Sequence, residues 1–217
     1  MALTPRRIRA ARVRYNKVTV GMGLLAFATA GGLLAGELGR VWRRGAAPLP
    51  ADTDDVFGAA QEAARESVAV AVEGYRATPA RETALLNLLV SFVLSFGVVR
   101  TSTVAIRSRG RFGPFRDLHL GRRHIHHYVP GIAIALIAGG ASIVSRNEGW
   151  DRWLALPFGT GLALTLDESA LLLELEDVYW TEEGVISLQI TLAAIALLGA
   201  LGLALRMLQR GEERVLP

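Results

Sequence analysis

Cysteine is absent from the 217 residues. That removes disulfides, thiolate metal sites and cysteine nucleophiles. A bound metal would have only oxygen and nitrogen ligands to draw on. Lysine occurs once, at Lys17, so the positive charge is almost all arginine. No stretch has the H-E-x-x-H spacing of zinc proteases. Gly159 and Gly161 neither follow a strand nor complete a phosphate-binding fingerprint, so helix packing explains them better. The net charge is +4, but the arginines flank apolar runs, where topology rules put them. No nucleic-acid partner is expected.

Apolar sequence is abundant, at 51% of the chain. Several runs reach about 17–22 residues, each long enough to cross roughly 30 Å of hydrocarbon as a helix. The expected fold is all-α: a polytopic transmembrane helical bundle of about five spans, with one amphipathic extramembrane helix. The layout begins with a basic segment (1–17), a first span (18–36), an external segment holding the amphipathic helix (37–82) and a second span (83–99). A basic loop ending in a histidine cluster (100–128) leads to a third span (129–144). A fourth span (153–173), an acidic segment (174–184), a fifth span (185–205) and a tail (206–217) follow.

Local patterns refine this layout. The first run is longer than a signal-peptide core, so it is read as a retained helix. Ala28, Gly32 and Gly36 form one small-residue stripe, and Gly131, Ala135 and Gly139 a second, each suited to close helix approach. Phe57, Ala60, Ala64, Val68, Val72 and Tyr75 recur every three to four positions and imply an amphipathic helix that lies on the membrane or caps the bundle. Asp52 or Thr53 is the expected start of that helix. Thr78-Pro79 reads as the start of the next. Asn87, Ser91 and Ser95 share a face and are expected to bond across helices. Trp150, Trp153, Tyr128, Tyr179 and Trp180 fall at span ends, as an aromatic belt does.

Two clusters carry chemistry. His124, His126 and His127 precede the third span. Asp167 and Glu168 sit inside the fourth, with Glu174 and Asp177 after it. A carboxylate at mid-membrane costs roughly 2.5–3.5 kcal/mol on insertion scales, so something must offset it. The two arginine-rich segments, 1–17 and 100–127, are separated by two spans, so both are expected on the cytoplasmic side. Alternation then brings the start of span three and the end of span four to the same face. The short turn between them makes them antiparallel neighbours. Asp167 and Glu174 share a helical face, Asp177 lies near it, and Glu168 points about 100° away.

A mixed imidazole and carboxylate set suits Fe, Zn or Mn with an open coordination position. The candidate ligands are His124, His126, His127, Asp167, Glu168, Glu174 and Asp177, and such a metal would activate water or dioxygen. Plainer readings stand beside it. The histidines and Arg122 and Arg123 would contact anionic headgroups. Asp167 and Glu168 would be acids held inside the bundle by a structural ion pair with a cation or by hydrogen bonds, or relay groups of a proton or cation pathway.

Three stretches resemble a family of small integral membrane proteins of actinobacteria. They are Gly121-Arg-Arg-His-Ile-His-His-Tyr-Val-Pro-Gly-Ile132, Gly159-Thr-Gly-Leu-Ala-Leu-Thr-Leu-Asp-Glu-Ser-Ala-Leu171 and Leu175-Glu-Asp-Val-Tyr-Trp-Thr-Glu-Glu-Gly184. Phenylalanine is usual in that family where Ser169 stands. The resemblance implies a membrane protein whose two clusters form one unit, and it implies no particular activity. The reading is a multi-pass protein of a bacterial plasma membrane with a cytoplasmic N-terminus, in contact with the lipid bilayer. It has a His/carboxylate metal site, or is a small transporter or proton-coupled channel, or is a non-catalytic assembly protein with an oligomeric or membrane-protein partner.

Overall fold

The computed structural model describes residues 5–109, 119–120, 123–124, 127–167 and 182–216. Among these lie six helices: α1 (Pro5–Arg44), α2 (Val56–Ala77), α3 (Ala80–Arg109), α4 (Tyr128–Ser145), α5 (Glu148–Asp167) and α6 (Glu182–Val215). A two-residue antiparallel ladder joins β1 (His119–Leu120) to β2 (Arg123–His124), with His119 opposite His124. The fold is a helical bundle. Among the described residues, four stretches are long and apolar enough to cross a membrane: Gly23–Arg44, Ala80–Ser102, Tyr128–Ser145 and Gln189–Val215. Large apolar side chains such as Phe27, Ile137 and Val144 point outward, at 72%, 73% and 82% exposure. In water that would be costly; against lipid it is the expected arrangement. The chain is a multi-pass membrane protein in contact with the bilayer. The expected fourth span begins in α5, and its residues 168–173 lie outside the described residues.

Helix directions follow from the cross-helix contacts. Asn87 meets Arg152, and Arg100 meets Asp167, so α3 and α5 are parallel. Glu82 meets Arg210, and Arg100 meets Gln189, so α6 runs against α3. Arg44 meets Glu212, while Gly23 and Ala26 lie beside Ile190 and Ala193, so α1 follows α6. Gly131 packs on Leu164 and Thr165, and Ser142 bonds Asp151, so α4 opposes α5. Helix α3 is the hub. Phe92 and Phe96, stacked at 6.0 Å, form the core with Ala163 of α5 and Ala196 of α6.

The α4–α5 hairpin has local causes. Arg146 adopts the left-handed conformation (φ 47°) that closes a helix C-terminus, and its N–H donates to the Ser142 carbonyl. Asn147 then starts α5 by accepting from the Gly149 N–H at 2.9 Å. Glu148 and Asp151 complement the positive end of the new helix.

Several expectations stand corrected in detail. Helix α3 passes the expected end at Val99 and reaches Arg109, since no glycine or proline stands between Val99 and Gly110 to stop it. Helix α2 starts after Asp55, whose side chain accepts from Gly58 N–H, rather than at Asp52 or Thr53. Of its apolar stripe only Tyr75 reaches the bundle, at Asn87; the members from Phe57 to Val72 do not. The buried residues are Ala59, Ala63, Val70 and Gly74, while Phe57, Val68 and Val72 are exposed. Close approach selects small residues for the inside: a Cβ on Gly74 would meet the Met207 carbonyl, and one on Gly211 the Val70 carbonyl.

The Gly131 stripe and two of the three polar residues of α3 behave as expected, whereas Ser91 donates to the Leu88 carbonyl of its own helix and Gly32 and Gly36 face open space. Gly131 and Gly139 pack on α5, against Leu164 and Phe158. Asn87 donates to the Arg152 carbonyl at 2.7 Å and to Tyr75, and Ser95 bonds Thr160 at 3.1 Å. Helix α5 is wedged between two neighbours by its own glycines, Gly159 facing Leu88 and Ser91 of α3, Gly161 facing Gly131 and Ala135 of α4. A Cβ on Gly161 would lie 2.6 Å from the Ala135 nitrogen and the Gly131 oxygen, all backbone. Gly161→Val is therefore expected to lower stability by at least about 1–3 kcal/mol, the usual cost of overpacking. Gly140→Val, with open space at its Cβ, should leave the melting temperature in detergent nearly unchanged. Equal melting of the two variants would contradict the wedge.

Candidate functional site

Asp167 is 6% exposed, so its charge must be met inside the protein. Helix α3 meets it. Phe92, Phe96 and Arg100 are four residues apart and share one face, so the stripe that builds the core also aims the guanidinium inward. Arg100 Nη1 lies 3.3 Å from Asp167 Oδ1. Arg100 Nη2 donates to Gln189 Oε1 at 2.6 Å, and the Arg100 Cζ sits 5.9 Å from the centre of the Phe96 ring. That places cation, carboxylate and aromatic face in one group.

Gln189 completes the centre from α6. Its amide Nε2 donates to the carbonyls of Leu166 (2.7 Å) and Asp167 (3.0 Å), while its Oε1 accepts from Arg100. Donor and acceptor ends are both engaged, and the side chain is buried. Three helices, α3, α5 and α6, are thus tied by one charge pair and one amide group. In hydrocarbon such ties substitute for the water that cannot reach them.

His127 lies at the same end. His127 precedes α4, and its carbonyl accepts from the Gly131 N–H at 3.0 Å. Gly131 packs on Leu164 and Thr165, so His127, one turn earlier, is at the Asp167 end of the hairpin. The antiparallel course of α4 and α5 thus sets His127 and Asp167 at one end of the hairpin. His124 is in β2, its backbone opposite His119. His126, Glu168, Glu174 and Asp177 lie outside the described residues. Among the described residues, no group of three or more histidine, aspartate or glutamate side chains could hold a metal ion.

Two members of the centre were not read from the sequence. Arg100 was assigned to the basic loop, although its spacing from Phe96 was the available signal. Gln189 is an amide near the start of an apolar helix, and a buried amide there needs partners.

A second set of pairs holds the opposite end. Arg40 and Arg44 of α1 both reach Glu212, 3.0 Å each, and Arg40 also pairs with Glu37. Arg210 grips Glu82 with two nitrogens, at 2.8 and 3.2 Å.

No protein-family model, curated protein or solved structure matches the chain.

Removing one member of a buried pair strands the other, at about 3–5 kcal/mol; partial exposure of Arg100 puts the effect near the lower value. Arg100→Met is expected to lower the melting temperature clearly. The double variant Arg100→Met with Asp167→Asn should recover much of that loss. Simply additive losses in thermal unfolding would mean that the two groups are not coupled.

Proposed function

We propose that the chain is a bacterial plasma-membrane protein, N-terminus in the cytoplasm, that acts as a non-catalytic partner or assembly protein. The observation that carries this reading is the pairing of Asp167 with Arg100. A carboxylate buried near the end of a span invites a metal because its charge needs an offset. Here a guanidinium of the same chain provides it, and Gln189 ties the neighbouring carbonyls. The centre then works as a clasp between helices, and the protein meets others through its outer surfaces. The assumed orientation is supported by the antiparallel course of α1 and α3, which brings the two arginine-rich segments to one end.

A second reading keeps a metal, Fe, Zn or Mn, on histidines at this face. It is favoured by one observation: the β1–β2 ladder pairs the backbones of His119 and His124 directly opposite each other. In this version Asp167 positions α5, and His126 and the acids after Asp167 remain candidate ligands.

The experiment that separates them uses the full chain purified from membranes. Under the assembly reading, Fe, Zn and Mn stay well below one per chain. Replacing the clasp by apolar residues, Arg100→Met with Asp167→Leu, then preserves the protein's complexes in the membrane. A stoichiometric metal lost in His126→Ala overturns that reading in favour of the second. Ion flux in liposomes that Asp167→Asn abolishes overturns both in favour of transport.

A further inference from the structure

Helix α2 has more apolar surface than the bundle covers. At about 100° per residue, with Gly74 as zero, its buried residues Ala59, Ala63, Val70 and Gly74 lie between about 300° and 0°. Phe57, Ala64, Val68 and Val72 follow at about 80–160°, an arc shared with exposed Gln61 and, at its C-terminal end, with Tyr75, which meets Asn87 of α3. The four apolar residues from Phe57 to Val72 are exposed, Phe57 at 83% and Val68 at 63%. The charged residues fill the remaining arc, about 180–260°, where Glu62 pairs with Arg65 and Glu73 with Arg76. The circumference is thus divided into three sectors of similar width: protein, an open apolar flank, and paired charges.

The height of α2 in the bundle decides what meets the open flank. Gly74 crosses α6 at Met207 and Gly211. Gly211 is four residues, about 6 Å, before the end of the candidate crossing stretch Gln189–Val215, among the charged residues that follow its apolar part. Farther back along α2, Glu66 accepts from the Ala46 N–H at 2.8 Å, just past the end of the crossing stretch Gly23–Arg44. At its far end, Thr78 and Pro79 lead directly into the stretch beginning at Ala80. Each contact puts the axis of α2 at the level where spans end. A helix there has the bundle beside it, water above and acyl chains below.

We propose that α2 lies in the plane of the membrane surface, with Phe57, Ala64, Val68 and Val72 inserted into the adjoining leaflet. The occupant of the flank is lipid. Helices with this division of faces sit at the boundary between headgroups and acyl chains. The Glu62–Arg65 and Glu73–Arg76 pairs are internally neutral, so the apolar flank, not attraction to anionic headgroups, provides the anchor. The same helix therefore serves both as a cap on α6 and as a float on the bilayer.

Because the chain has no cysteine, single nitroxide labels report each face without background. Labels at Val68→Cys and Glu62→Cys are compared in full-length protein in phosphatidylethanolamine/phosphatidylglycerol vesicles. Circular dichroism confirms the helix content of each variant. The expected result is a several-fold reversal: the Val68 label open to oxygen and shielded from a water-soluble nickel chelate, the Glu62 label the opposite. Phe57→Cys should repeat the Val68 result. Equal access of the chelate at positions 62 and 68 would place the flank in water and overturn the proposal. A Val68 label closed to both reagents would mean that protein, such as a second copy, covers it, and would overturn it equally.

Discussion

Inside a bilayer there is no water to complete a polar group's bonding, so every such group must find its partner within the fold. Asp167 is where this constraint is sharpest. Its carboxylate is buried next to the guanidinium of Arg100, and the amide of Gln189 is engaged with both Arg100 and the backbone of α5. The pair fixes the parallel register of α3 and α5 and the opposed course of α6. Had the carboxylate been left alone, insertion of α5 would have carried a penalty of several kcal/mol. With Arg100 present, the same group selects one arrangement of three helices.

The rest of the interior is built by nearness. Helix α5 has glycines facing two sides, and both neighbours come so close that a single methyl group would touch their backbones. Association of helices in lipid relies on such contact, since burial of apolar surface offers little advantage over acyl chains. The polar stripe of α3 works alongside it, with Asn87 and Ser95 reaching across to α5. The charged pairs then hold the bundle at its two ends, with glycine packing and hydroxyl and amide bonds between them.

Much of this was legible in the sequence. The apolar runs, the Gly131–Gly139 stripe and the bonding role of Asn87 and Ser95 followed from period and residue type. The stripe on α2 was also legible, but not its direction. Periodicity outlines an apolar arc; it does not divide that arc between protein and lipid. Size does, since Ala59, Ala63 and Gly74 allow close approach while Phe57 and Val68 suit a fluid neighbour. Arg100 was hidden for a related reason. A basic residue at a span end reads as topology signal, and only the three-dimensional alignment of two distant spans turns it into a partner for Asp167. Of the seven candidate ligands, His127 and Asp167 are brought to one end, and the backbone alone places His124. The sequence had also offered an ion pair as the plainer explanation of Asp167, and that is what the geometry supplies.

The position of α6 bears on how the protein is made. Helices α1 and α2 leave the ribosome early, yet their closest partners are Glu212, Met207 and Gly211, more than a hundred residues later. Until α6 is inserted, Arg40 and Arg44 lack the carboxylate that joins them, and the small face of α2 has no helix to rest on. Biogenesis thus passes through a stage in which the first helices are already in the bilayer but unassembled. The arrival of α6 closes the bundle from one end to the other.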